Sequence, residues 1–180
     1  MAGIKSALHS FTGQKLQISE AELRRMLVEN LESLRRFSYS LTGNGSDGDD
    51  LVQGTVERLL NKGVPVDVPF AAWMFRVCKN YWIDQLRTQS RTQVADPDDI
   101  ERNLKPVDGE AVALGMLRMR EVNMAIRKLD PDQRMVLALV TVEGNSYSEA
   151  ADILEIPIGT VMSRLARARK SLLEMTDVGN

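Results

Sequence analysis

The chain has 180 residues, a formal net charge of −2, 43% hydrophobic and 27% charged residues, one cysteine and one histidine. That length suits one ordinary domain or two small ones, and the apolar share is too high for a disordered chain. Cys78 alone closes no disulfide, and a lone His9 leaves a zinc cluster, a Cys–His pair or a Ser–His pair without parts, so no enzyme, catalytic residue, metal or cofactor is expected.

The purest apolar run, residues 135–140, is far short of the ~20 residues that span a bilayer. The N-terminus carries no apolar block of the kind a secretory signal needs, so the expected location is cytoplasmic, with no membrane span. A chain of slightly negative total charge attracts no polyanion as a whole. Nucleic-acid binding would require locally concentrated cations.

Residues 1–18 show weak patterning and read as an N-terminal arm. Ser19 with Glu22 makes a capping box, and Leu23, Met26, Leu27, Leu31 and Leu34 recur at helical spacing, predicting a helix to about Leu41. Residues 42–48 (TGNGSDG) read as a turn, after which Asp49 or Asp50 caps a helix over 51–61 that stops at Gly63. The loop 63–69 contains two prolines and is predicted non-helical. A long helix follows over about 70–89. Residues 92–115 are acidic and rich in Pro and Gly, and read as a linker.

Helical period resumes near Met116 and runs to Leu129. Asp130-Pro131-Asp132-Gln133 is a strong start signal, an acidic N-cap with proline in the first turn, and predicts a helix over 131–143 ending at Gly144. Two more helices are expected, over 148–154 and 159–175. No stretch alternates with period two, so the expected fold is all-α: two small helical domains joined by an acidic linker.

The most informative stretch is SYSEAADILEIPIGTVMSRLARARKSLL, beginning at Ser146: a short helix, a tight turn and a longer helix. Ser146 and Glu149 form a capping box for the first helix, while Ile156 and Ile158 flank Pro157 and are expected to plug the core. In the second helix Val161, Leu165, Ala168 and Leu172 form a buried stripe. Thr160, Ser163, Arg167 and Lys170 project from the opposite side, with Arg164 and Arg169 on its flanks. Four cations and no acid lie between Ile158 and Leu173. A solvated basic face would carry the same charges; the turn between the helices favours a helix-turn-helix, which inserts the N-terminal part of its second helix into the major groove. Ser163 and Arg164 then fall near base edges, and Arg167, Arg169 and Lys170 near phosphates.

Two earlier features matter. Asp50, Gln53 and Glu57 share one polar helix face, and spacing alone does not separate a docking face from a solvated one. The stretch PFAAWMFRVCKNYWIDQLR, beginning at Pro69, holds five of the nine aromatics interleaved with Arg76, Lys79 and Arg87. Rings beside cations suit unstacked bases. Trp73, Val77 and Tyr81 repeat as a buried stripe would, so the basic side chains and Asn80 are the expected functional share.

DDLVQ…FAAWMFRVCKNYWIDQLR together with LDPDQRMVLALVTVEGNSYSEAADILEIPIGTVMSRLARARKSL resembles the extracytoplasmic-function (group IV) sigma factors of bacterial RNA polymerase. The resemblance covers about 23–91 and 119–174. It implies a region 2-like domain over 19–91 and a region 4-like helix-turn-helix domain over 116–176, on either side of the linker. The first would open the minus-ten element of promoter DNA, with Arg76, Lys79, Asn80 and Arg87 contacting DNA and the loop 63–70 receiving a flipped base. Its D-x-V-Q helix would dock on the β′ clamp helices of core RNA polymerase through Asp50, Val52, Gln53 and Glu57. The second domain would read the minus-thirty-five element through Thr160, Ser163, Arg164, Arg167, Arg169 and Lys170, and meet the β flap. The linker would occupy the RNA exit path as a nucleic-acid mimic. An anti-sigma factor is implied as a partner, and the LTGN…DDLVQ phrasing leans towards the general-stress branch of alphaproteobacteria.

Three positions depart from the family pattern. Gly54 stands where Glu is usual, which is expected to weaken the helix and the core contact. Glu155 stands where Gly is usual at the turn, at a cost of roughly 1 kcal/mol if left-handed. Met162 replaces a usual Lys or Arg. Two alternatives to a sigma factor are a sigma-like decoy for an anti-sigma protein and a plain helix-turn-helix regulator. The decoy should lose the basic face, and the regulator leaves the Asp50 face and the aromatic helix without a role.

Overall fold

The computed structural model describes residues 18–65, 67–92 and 121–177. Among these the chain forms seven helices and no β-strand: α1 (Glu20–Thr42), α2 (Gly45–Lys62), α3 (Phe70–Thr92), α4 (121–128), α5 (Pro131–Leu137), α6 (Tyr147–Leu154) and α7 (Ile158–Asp177). The all-α expectation holds. The arm apart from Ile18, and the linker beyond Thr92, lie outside the described residues.

Helix α1 starts where its cap signal places it, with the Ser19 hydroxyl accepting from the Glu22 amide at 3.2 Å. Leu23, Leu27, Leu34, Phe37 and Leu41 form its buried stripe, and Gly43, at φ 75°, ends it in a left-handed turn. The expected turn over 42–48 is shorter than its composition suggests. Asn44 caps α2, its Oδ1 accepting from the Asp47 amide at 2.8 Å, so the helix begins before Asp49 and Asp50. Gly48 is helical and buried: a Cβ there would lie 3.4 Å from the Tyr39 backbone. Gly48 thus sits inside the helix at van der Waals contact with α1, not in a turn.

The buried stripe of α3 also differs from the expected one. Met74, Cys78 and Trp82 fill the core with Phe75 and Val77, whereas Trp73 and Tyr81 are only half-buried. Trp73 turns to the preceding loop and donates from Nε1 to the Gly63 carbonyl at 3.2 Å. Phe75 packs edge-on against Phe37 with ring centroids 4.9 Å apart, joining α3 to α1.

In the second group Asp130 caps α5 through the Asp132 amide at 2.9 Å, with Pro131 in the first turn as expected. The predicted single helix to 143 instead widens into a π-helical turn over Ala138–Val142. The backbone N–H and the side-chain amide of Asn145 both donate to the Leu139 carbonyl at 3.0 Å, satisfying a group that the wider turn leaves open. Ser146 and Glu149 form the full capping box of α6, and the two hydrogen bonds from Ser146 lower the pKa of the Glu149 carboxyl. Val161, Leu165 and Ala168 are buried, and Leu172 packs against the same core. Ile156 packs there too. Ile158 does not: it is 50% exposed, on the outer face of α7 one turn before Met162.

The two groups share one hydrophobic core. Arg134 sits at the junction, half-buried, its guanidinium donating to the carbonyl of Leu41 at 2.7 Å, to that of Leu129 at 3.1 Å and to that of Arg127. Its charge lies 5.6 Å over the Trp82 ring. Burial, with the nearby Arg127 charge, lowers its pKa. Arg36 of α1 forms a two-pronged hydrogen-bonded pair, at 3.0 and 3.3 Å, with Glu143, whose side chain is only 2% exposed.

Candidate nucleic-acid and partner interfaces

Helix α7 presents its cations unevenly. Arg167, Arg169 and Lys170 are exposed, and Lys170 has only Glu174 one turn on, at 3.8 Å. Ser163 is exposed with its hydroxyl turned back to the Thr160 carbonyl at 3.1 Å, and Thr160 is half-buried. Arg164 is different: it pairs with Asp132 in the first turn of α5 and is three-quarters buried. The α7 spacing located Arg164 on the flank of the basic face, but the carboxylate that holds it comes from another helix. The acidic N1–N3 turn of α5 was visible in the sequence as a helix start, and nothing local marked it as an arginine partner.

Helix α3 carries Arg76, Lys79, Asn80 and Arg87 at spacings of three, four and seven, which place them on one side. Asn80 is exposed, and Arg87 is exposed with Asp84 3.7 Å away. Arg76 and Lys79 are covered by α6, their side chains 14% and 8% exposed. Arg76 donates to the Asp152 carbonyl at 2.7 Å, and the Glu155 carboxylate lies 3.8 Å from Arg76 and 3.5 Å from Lys79. Two of the four residues assigned to the minus-ten element are therefore occupied by the helix-turn-helix group. No periodicity within α3 could disclose that.

On α2, Asp50, Gln53 and Glu57 are exposed along one face and Val52 is half-buried beside them. Gln53 donates to Glu57 at 3.1 Å, and Arg35 of α1 lies 3.3 Å from the neighbouring Asp49. The face is preformed and acidic.

The three departures each have a physical setting. Gly54 is buried, and the Tyr81 ring lies where its Cβ would be. Arg58 covers that ring at 3.5 Å from its centroid and donates to the Gly54 carbonyl at 3.0 Å. The glycine thus admits the aromatic that joins α2 to α3, a packing gain set against its helix penalty. Glu155 is left-handed at φ 60°, ψ 41°, as its place at the turn predicted, and is the one non-glycine residue with positive φ among the described residues. Met162 is 53% exposed on the outer face of α7. The lone thiol, Cys78, is buried at 3.5 Å from the Ser38 hydroxyl, and burial pushes its pKa up to about 11. Among the described residues no cluster of potential metal ligands occurs, and no helix is long and apolar enough to cross a membrane.

A helix-turn-helix with a bare basic helix, packed on a three-helix group with an acidic face, defines a DNA-binding transcription protein. Family profiles agree: "Sigma-70 region 2" matches residues 26–92 and "Sigma-70, region 4" matches residues 119–172. The chain is similar to the ECF RNA polymerase sigma factor EcfG of Rhodopseudomonas palustris, 36% identical over 83% of this chain and 82% of that protein. The ECF sigma factor SigE of Mycolicibacterium smegmatis is 30% identical over 82% of this chain and 58% of its own length. The fold is similar to that of the sigma factor RpoE in its complex with the anti-sigma factor NepR from Bartonella quintana, with a TM-score of 0.68, 28% identity, and coverage of 88% of this chain and 99% of that one. The chain belongs to the extracytoplasmic-function RNA polymerase sigma factors of the sigma-70 family.

Proposed function

We propose that this sigma factor divides promoter recognition between residues 19–91 and 116–176, the first serving the minus-ten element and core polymerase and the second the minus-thirty-five element. The observation that carries the division is the exposed run Arg167, Arg169 and Lys170 on the second helix of a helix-turn-helix, in a protein whose total charge is −2. Phosphate contacts from these side chains would set the register of α7 in the major groove, and Thr160, Ser163 and Arg164 would face base edges. Asp132 would hold the Arg164 guanidinium while it reads a base. Asn80 and Arg87 are exposed on α3, and Arg76 and Lys79 join them once α6 moves away. Asp50, Val52, Gln53 and Glu57 offer a β′ clamp-helix contact, and the second group a contact with the β flap.

The reading includes an anti-sigma partner, supported by the RpoE–NepR complex and by a second similar fold, CnrH bound to the cytosolic domain of CnrY, at TM-score 0.64 and 25% identity. A stress-response role rests on the LTGN…DDLVQ resemblance. A cytoplasmic, non-enzymatic protein without cofactor fits this role. Paired variants test the division. Arg164→Glu with Arg167→Glu should abolish transcription from a matched promoter and leave core binding intact; loss of both would overturn the split. Asp50→Arg with Gln53→Ala should weaken core binding at least about tenfold, the scale of a lost interfacial charge contact, and unchanged affinity would remove that face from the interface.

A further inference from the structure

Glu155 closes the turn between α6 and α7 in a left-handed conformation that costs a side chain free energy and glycine almost none. What its side chain does there is specific. Its two carboxylate oxygens face two cations of another helix, Oε1 at 3.8 Å from Arg76 and Oε2 at 3.5 Å from Lys79. Lys79 is 8% exposed and Arg76 14%, and a cation so covered needs a counter-charge. The Arg76 Nε is buried without a hydrogen-bond partner, so the pocket satisfies the guanidinium only in part. Of the other cations assigned to promoter contact, Arg87, Arg167, Arg169 and Lys170 are solvent-exposed, and Arg164 is three-quarters buried against Asp132.

We propose that Glu155 is an internal phosphate substitute: its carboxylate occupies the anion site formed by Arg76 and Lys79, so that the closed chain cannot offer that site to a nucleic-acid backbone. The inference rests on the reading of Arg76 and Lys79 as nucleic-acid contacts. A carboxylate and a phosphate present the same paired anionic oxygens to the same two side chains, and the site holds one of them at a time. Opening α6 from α3 exchanges an intramolecular pair for DNA. Salt screens a partly exposed pair of this kind, so the closed form should loosen as ionic strength rises. The Arg36–Glu143 pair and the Arg134 contacts join the two groups elsewhere, so Glu155 biases the closed form without being its sole attachment.

The test uses the full-length free protein. Pulse labelling with an amine-reactive reagent, read by mass spectrometry, reports the exposure of Lys79. Glu155→Gln keeps the strained turn and removes the charge; Glu155→Gly removes both charge and strain. Each should raise Lys79 labelling about fivefold, the scale of losing one or two partly exposed ion pairs. Glu20→Gln, which removes an equal charge beside Arg24 on α1, away from every residue assigned to DNA, should leave Lys79 unchanged. Binding of a twenty-nucleotide oligo-dT strand at low salt should tighten by a similar factor in both Glu155 variants and not in Glu20→Gln.

Unchanged Lys79 labelling in both Glu155 variants would overturn the latch. Raised labelling with unchanged DNA affinity would overturn the competition, and would do so by showing that Arg76 and Lys79 are not nucleic-acid contacts. Because the glycine variant relieves the turn, increased labelling in both cannot be assigned to a damaged helix-turn-helix.

Discussion

The two helical groups handle positive charge in opposite ways. Helix α7 leaves Arg167, Arg169 and Lys170 in water, where they cost little and remain available. Helix α3 places Arg76 and Lys79 beneath α6, where each needs a partner from the other group. The difference follows from what covers each helix. In the first group Phe37, Met74, Phe75 and Trp82 are buried, and α6 packs across α3. In the second, Met135, Leu139, Ile153, Val161 and Leu165 are buried, and the face of α7 carrying Arg167, Arg169 and Lys170 stays exposed among the described residues. Of the residues assigned to DNA contact, Arg167, Arg169 and Lys170 on α7 are thus ready while Arg164 is held by Asp132, and on α3 Arg76 and Lys79 are masked while Asn80 and Arg87 stay exposed.

Breaking the packing on the first group should have the largest effect. Gly54→Glu drives a side chain into the Tyr81 ring and displaces Arg58, and should cost about 3 kcal/mol or more, with Gly54→Ala at about 1–3 kcal/mol. Urea denaturation measures both, and a neutral Gly54→Glu would mean that Tyr81 does not join α2 to α3. Arg134→Ala removes the donor that serves carbonyls of both groups and should cost about 2–3 kcal/mol. If the groups were independent, the second would unfold alone and the first would keep its own midpoint.

Arg36→Ala isolates a smaller term. It leaves the buried Glu143 carboxylate without its fork and should destabilise by about 1–3 kcal/mol, with Glu143→Gln in the same background recovering part of the loss. A double-mutant cycle with no coupling would remove that pair from the interface.

The smallest effect is confined to alkaline pH. Desolvation pushes the Cys78 thiol up to about 11, against hydrogen bonds from Ser38 and Thr55 that pull it down. A folded value above the unfolded value of about 8.5 means that the contribution of Cys78 is complete below that pH. It declines as pH rises through about 11. Denaturation at pH 8 and pH 10 should therefore show a steeper alkaline loss for the wild type than for Cys78→Ala, and equal slopes would contradict the buried neutral thiol.

Much of the fold was legible because its signals are local. Ser19, Asp130-Pro131 and Ser146 with Glu149 mark helix starts through side chains that reach only two or three residues along the chain. The α7 stripe was legible because one face packs and the other does not. What was hidden depends on partners far away in sequence. Gly48 read as part of a turn and Gly54 as a weak point of its helix, yet each is a helical position where another segment comes close. Arg76 and Lys79 had the right composition for a nucleic-acid face, but their neutralisation comes from a residue 76 or more positions on. Arg164 read as a free cation and is held by Asp132.

The most direct test of the division of labour is run-off transcription on fragmented genomic DNA with purified core polymerase, with and without this protein. The account predicts discrete new start sites that share two spaced upstream elements, lost when Arg164 and Arg167 are reversed to glutamate. No new starts while the protein is bound to core would contradict it.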